Sequence, residues 1–274
     1  MILSGTALAD EMLALVKNTI DASSVHPRLA VVQVGDDAAS TLYIERKKKI
    51  AAEIGIETEF FSIDHTTTKE LVERIYELNT RPDIDAILVQ IPLPKNIDTD
   101  AVIAAIDPAK DVDGFHPRNI GAYTTGQAVH TPVLVQSIEW LLKKTSVPLS
   151  GKHAVVLGKS DVFLQPLTFM LSLHGLNVTW IKPQDLPSPE IMRADVLIVA
   201  VGAPHTITED MIKPDSIIID IGINRLENGK VVGDVDFDRT HSKAAWITPT
   251  PGGVGPVTIA ALMWNTLRLA LDRS

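Results

Sequence analysis

At 274 residues, 45% apolar and 22% charged, the chain has an ordinary globular composition and is long for a single core, so two domains are expected. The formal net charge of -9 argues against a nucleic-acid partner, because the only dense basic run is Arg46, Lys47, Lys48 and Lys49. Cysteine is absent, which excludes disulfides and thiolate metal sites.

Asp10 and Glu11 follow Leu8 too closely for the cationic start and apolar block of a signal peptide, so a cytoplasmic location is expected. No apolar stretch is read as approaching the ~20 residues that span a bilayer, so no membrane partner is expected. Leu8, Met12, Leu15, Val16 and Ile20 fall at helical spacing and predict a helix over residues 6–20. Residues 29–35 form a short apolar run ending in Gly35, which suits a strand buried on both faces. A helix at 40–53, a strand at 57–63, a helix at 67–78 and a third buried strand at 86–90 follow. Small and polar residues fill 121–131, a helix is predicted at 133–144, and Pro148 with Gly151 mark a break. Alternation then restarts with a strand at 153–157, a helix at 166–174, strands at 177–181, 196–201 and 216–221, and a closing helix at 257–271. Such alternation predicts an α/β protein with helices packed on parallel sheets. Two domains are expected, 1–132 plus 254–274 and 133–253, the second Rossmann-like, with a cleft between them as the natural ligand site.

Four segments could carry chemistry. Lys110-Asp111-Val112-Asp113-Gly114-Phe115-His116-Pro117 combines charges, Gly114 and the bulky Phe115 in one loop, as a loop shaping a pocket would. Tyr43 and Lys47 are one turn apart on a helix beyond a strand end, where a lysine beside a stacked ring could move protons; a solvated basic face is the alternative. Gln90 ends a buried strand before Ile91-Pro92-Leu93-Pro94, and its amide could orient an ammonium or be satisfied by nearby backbone. Residues 249–256 hold Gly252, Gly253 and Gly255 among three prolines ahead of the last helix, and read as a binding loop rather than a hinge. In the second half, Gly158-Lys159-Ser160 follows a strand without the full glycine fingerprint of a nucleotide turn, and Gly202 ends another strand in the same style. The eight histidines show no metal-ligand spacing.

Taken together, Ser40 with Tyr43 and Lys47, residues 89–94, residues 110–117, Asp220-Ile221-Gly222-Ile223-Asn224-Arg225, Gly233-Asp234-Val235-Asp236-Phe237 and Pro251 to Pro256 with Thr258 resemble one family across nearly the whole chain. That family is the bifunctional methylenetetrahydrofolate dehydrogenase/methenyltetrahydrofolate cyclohydrolases. The resemblance implies NADP-linked oxidation of methylenetetrahydrofolate and hydrolysis of the methenyl product to formyltetrahydrofolate, carried out by a homodimer. It implies a folate domain from the N-terminal part and last helix, and NADP on the second domain. Lys47 matches the catalytic lysine and Tyr43 the stacking tyrosine, while Gln90 and Asp113 match the pair that tunes the lysine and holds the pterin. Ser40, Pro92, Gly252, Gly253 and Pro256 are implied on the substrate side. Gly158, Lys159, Ser160, Lys182, Gly202, Ile223 and Thr258 are implied on the cofactor side.

The departures from the family pattern fall mostly on the cofactor side. Lys159 stands where arginine is usual, Leu164 where a glycine is usual, and Lys182-Pro183-Gln184-Asp185 where a serine would meet the ribose phosphate. Val129-His130 replaces Pro-Cys. These changes leave NAD as an alternative to NADP, and a cyclohydrolase with weakened or lost dehydrogenation as an alternative activity. A shikimate or amino-acid-type dehydrogenase shares the two-domain layout by analogy only.

Overall fold

A computed structural model describes the backbone of residues 1–35, 38–127, 130–159 and 161–273 and, among these, the side chains outside 38–43 and 161–163. In chain order the elements are α1 (Gly5–Asp21), β1 (Arg28–Val34), α2 (Ala38–Ile54), β2 (Glu57–Ile63), α3 (Thr68–Thr80), β3 (Ala86–Val89), α4 (Thr99–Ala105), α5 (Pro117–Thr124) and α6 (Val133–Lys144). Then follow β4 (His153–Gly158), α7 (Asp161–Leu173), β5 (Asn177–Ile181), β6 (Val196–Ala200), β7 (Ile217–Asp220), β8 (Asn224–Arg225), β9 (Val231–Val232), α8 (Phe237–Thr240), β10 (Trp246–Ile247) and α9 (Val254–Arg273). They form two compact units, Glu11–Val133 with Ile259–Ser274, and Leu134–Thr258 with Met1–Asp10.

In the first unit a parallel sheet runs in the order β2-β1-β3. β3 is buried along its whole length, as its unbroken apolar run predicts. Ala30, Val32, Ile87 and Val89 pack with Leu71, Ile75 and Leu78 of α3 and Val102 of α4. Thr67 and Glu70 close a reciprocal capping box at the start of α3, which sets where that helix begins. Ile87 also bridges Asp111 in parallel, with its N–H donating 2.7 Å to the Lys110 carbonyl, so the loop after α4 runs beside β3.

In the second unit five parallel strands take the order β10-β7-β6-β4-β5. From β4 the chain passes to β5 on one side and returns to β6 on the other. The carboxyl ends of β4 and β6, where Gly158 pairs with Ala200, are therefore a topological switch point. Met1–Asp10 belongs with this unit rather than with the residues after it because its backbone is tied there. Ile2 bridges Ile247, the Leu3 N–H donates 2.8 Å to the Ile247 carbonyl, and the Gly5 N–H donates 2.9 Å to the Gly252 carbonyl.

Three local readings are corrected. Helix α7 starts at Asp161, with Pro166 inside it instead of opening it. The short α4, α5, α8, β10 and the β8–β9 hairpin carry too few residues for periodicity to register. The 20-residue α9, with mean hydropathy 1.3, is long and apolar enough to cross a membrane by length and composition, contrary to the expectation of no such stretch. Its apolar window is 72% buried within the protein, which makes it a core helix.

Candidate active site

The basic run of α2 is divided by helix geometry. Ile44, Lys47, Ala51 and Ile54 share the buried stripe, whereas Arg46 and Lys49 are exposed. Lys48 pairs with Glu45 at 2.6 Å and lies over the Phe60 ring. Lys47, only 7% exposed, thus carries an ammonium into the core side of the helix. Its Nζ donates 2.9 Å to Gln90 Oε1. Gln90 follows β3 directly, its N–H donating 2.8 Å to the Val32 carbonyl and its Nε2 donating 2.7 Å to the Ile91 carbonyl. The amide side chain is therefore held at both ends of its dipole, with its oxygen turned on the lysine.

Asp113 completes the group. Burial lowers the pKa of Lys47 and the negative charge of Asp113 opposes that shift. Burial also pushes Asp113 up to about 6, against the attraction of Lys47 and with the help of nearby Asp111. Both groups are thus drawn towards their uncharged forms, each restrained by the other.

The rest of the loop after α4 is scaffolding. Lys110, read from sequence as part of a functional loop, is buried, and its Nζ donates to the carbonyls of Leu78, Asn79 and Arg81 at 3.3, 2.8 and 2.7 Å. It caps the end of α3, where unpaired carbonyls gather. Asp111 accepts from the N–H groups of Gly114 and His116 and from Asn119 Nδ2. His116 caps α5, its Nδ1 accepting from the Arg118 N–H and its Nε2 donating to the Ala104 carbonyl. Gly114, at φ 74°, lies so close to Pro132 that a Cβ would sit 2.9 Å from the proline Cα. Asn265 of α9 reaches the same loop, donating 3.0 Å to both the Val112 and Thr131 carbonyls. His130 Nε2 donates 2.9 Å to the Asp111 carbonyl. Phe115 does line a pocket, with Asp111, Asp113 and the isoleucines 87, 91, 103 and 106, but that pocket has room for about one water.

The other implied substrate residues are placed unevenly. Ser40 and Tyr43 lie on α2, but their side chains fall outside the described residues. Pro92 is exposed just past Gln90. Gly252, at φ 101°, presents its carbonyl to the N–H groups of Gly5 and Thr6, and Gly253 is buried against Thr248 and Pro249. Close packing thus accounts for these glycines in part. Pro256 is buried in the first turn of α9.

On the second sheet the strand ends are organised by two buried acids. Asp234 accepts from the N–H groups of Val201, Gly202 and Ala203 at 2.6, 2.9 and 3.0 Å and from Asn224 Nδ2 at 2.8 Å. Asp220 accepts from the N–H groups of Gly222, Asp234 and Val235. Burial pushes Asp220 up to about 7, against these amides and helped by the charge of Asp234. A Cβ on Gly222 would overlap the Asp234 carboxyl, and one on Gly233 the Asp220 carboxyl, so the two glycines and two acids lock reciprocally. The Gly202 amide is therefore already taken. What Gly202 offers is open space above its Cα. Ile223 is 61% exposed between β7 and β8, and Lys159 and Lys182 are exposed just past the ends of β4 and β5. Thr258 Oγ1 donates 2.7 Å to the Gly255 carbonyl. Ser160 lies outside the described residues.

Leu164, which stands where the family usually has a glycine, is a core residue. At 1% exposure its side chain is buried, reaching within 3.8 Å of where a Cβ on Gly158 would stand. The strand ends thus carry open space beside Gly202 and the exposed cations Lys159 and Lys182.

Comparison with known proteins agrees with both halves. Residues 3–113 match the family described as tetrahydrofolate dehydrogenase/cyclohydrolase, catalytic domain, and residues 132–274 match its NAD(P)-binding domain. The bifunctional protein FolD of Methanospirillum hungatei is 45% identical over 275 residues, covering 100% of this chain and 98% of the relative. The crystal structure of the bifunctional methylenetetrahydrofolate dehydrogenase/cyclohydrolase of Campylobacter jejuni matches with a TM-score of 0.93 at 37% identity, covering 100% and 99% of the two chains. That of Trypanosoma brucei, complexed with NADP and an inhibitor, matches with a TM-score of 0.93 at 29% identity, covering 99% and 97%.

Proposed function

The chain belongs to the tetrahydrofolate dehydrogenase/cyclohydrolase family, and from that membership we propose how its residues divide two reactions. The enzyme oxidises methylenetetrahydrofolate to methenyltetrahydrofolate with NADP and hydrolyses the product to formyltetrahydrofolate. The observation that carries the assignment is the buried Lys47 ammonium, 2.9 Å from Gln90 Oε1 and balanced by Asp113.

In the hydrolysis, the oxygen of water bonds to the carbon bridging two folate nitrogens and the water proton must leave. A lysine that burial has moved towards its neutral amine accepts that proton and returns it to the nitrogen that departs when the ring opens. Gln90 aims the lone pair, and Asp113 keeps the ammonium from losing its proton too readily. Tyr43 stacks on the pterin, Asp113 also binds it, and Ser40, Pro92, Gly252, Gly253 and Pro256 border the substrate. Gly158, Lys159, Ser160, Lys182, Gly202, Ile223 and Thr258 hold the dinucleotide, with Gly202 supplying clearance and the lysines charge. Bound there, NADP supplies the acceptor for the hydride that leaves the methylene carbon. The same reading takes the protein as a cytoplasmic homodimer without nucleic-acid or membrane partners, and the net charge of -9 supports the exclusion of nucleic acid.

Two separate assays test this reading, one following loss of methenyltetrahydrofolate absorbance and the other NADPH formation from methylenetetrahydrofolate. The native enzyme should show both signals. Lys47→Met should lose hydrolysis by about 100-fold or more while still binding folate. Undiminished hydrolysis in that variant would overturn the assignment.

A further inference from the structure

At the end of β5, Lys182 of the proposed cofactor site has an aromatic neighbour, Trp180, to which neither reaction gives a role. Trp180 is 38% exposed, an unusual position for an indole, and its Nε1–H donates 3.3 Å to the carbonyl of Gly158. The ring therefore straddles from β5 to the glycine that ends β4. Over it, 5.3 Å from the ring, lies the ammonium of Lys182. In a dinucleotide-binding sheet the adenosine ribose lies at the end of the strand next to the glycine turn, roughly twenty residues past that glycine. Lys182 opens the turn there. An enzyme for NAD has an acid at such a place to accept from the ribose 2′-hydroxyl. The nearest acid here, Asp185, closes the 3-10 turn Pro183–Asp185 that begins after Lys182.

We infer that Trp180 and Lys182 form the element that selects NADP over NAD, the indole fixing the ammonium beside the Gly158 turn so that it meets a ribose 2′-phosphate. The inference rests on the proposed dinucleotide site and deepens it. A lysine on a free stem loses rotamer entropy when it captures a phosphate. Cation–π attraction to an already anchored ring removes part of that cost. A phosphomonoester carries close to two negative charges at neutral pH, whereas a 2′-hydroxyl offers the ammonium none. The gain is thus confined to the phosphorylated nucleotide. Lys182 determines specificity, and Trp180 positions it.

Calorimetric titration of the full chain with NADP and with NAD tests this. Lys182→Ala should weaken NADP binding by about tenfold or more and leave NAD within about twofold. Lys182→Arg should keep most of the preference. Trp180→Leu should erode the preference in the same direction, and Trp180→Phe, which keeps a face for the cation, should erode it less. Thermal melting establishes that each variant is folded, and the Lys182 pair decides the matter should Trp180→Leu not fold. An unchanged NADP affinity in Lys182→Ala, or equal losses for both nucleotides, would overturn the inference and leave the cofactor site standing. Failure of the native protein to bind either nucleotide would overturn both.

Discussion

At the carboxyl end of the β2-β1-β3 sheet the polar atoms that matter are side chains turned on one another. At the carboxyl end of the β10-β7-β6-β4-β5 sheet they are backbone amides turned on a buried acid. Lys47, Gln90 and Asp113 leave a titratable nitrogen aimed by an amide and restrained by a carboxylate. Asp234 instead consumes the amides of Val201, Gly202 and Ala203 and leaves a smooth, open turn. The difference suits the tasks proposed for the two sheets. Proton transfer needs a group whose charge is finely balanced, and burial provides that balance. Holding a large ligand needs a backbone that will not move, and a carboxylate accepting several N–H groups provides that rigidity.

This contrast can be broken from either side. The largest effect is expected from Lys47→Met, which should cost about two orders of magnitude or more in hydrolysis while sparing nucleotide binding. Next comes Asp234→Asn. An amide nitrogen would face N–H groups that now donate to a carboxylate, so stability should fall by about 3 kcal/mol and NADP affinity with it. Urea unfolding and calorimetry would measure the two, and hydrolysis by whatever remains folded should hold up better than NADP binding. The smallest effect on chemistry belongs to Lys110→Met, three residues from Asp113. It removes the donors to three carbonyls at the end of α3, so stability should drop by about 2 kcal/mol while kcat for hydrolysis stays close to native. A collapse of kcat in that folded variant would show that the loop cannot be split into scaffold and chemistry.

Much of the scaffold was legible because its signals are local. Ala86–Val89 and Val196–Ala200 are unbroken apolar runs, and buried parallel strands are made of little else. The start of α7 was not legible, since Pro166 reads as a first-turn residue and nothing nearby says otherwise. Within the active site, Lys47 could have been singled out among four basic neighbours by its spacing from Ile44, Ala51 and Ile54. The roles of Lys110, Asp111 and His116 could not, because a charged loop looks the same whether its charges meet a substrate or a helix end. Lys110 finds its partners some thirty positions earlier, and Asn265 finds its own at Val112 and Thr131. Asn265 did leave a trace, as a lone amide in an apolar helix. Trp180 left none, because only the register of β4 with β5 sets its indole beside Gly158.

The charge of Lys47 decides whether it can take a proton from water, and a titration of lysine Cε resonances in carbon-labelled protein reads that charge directly. Lys47 should lose its proton below the ordinary lysine value of 10.5, and Asp113→Asn should move that midpoint lower still, carrying the rising limb of the hydrolysis pH profile with it. The sign follows from the anion, which favours the ammonium and whose removal favours the amine. A Lys47 that titrates like a free lysine, unmoved by the loss of the Asp113 charge, would contradict the account.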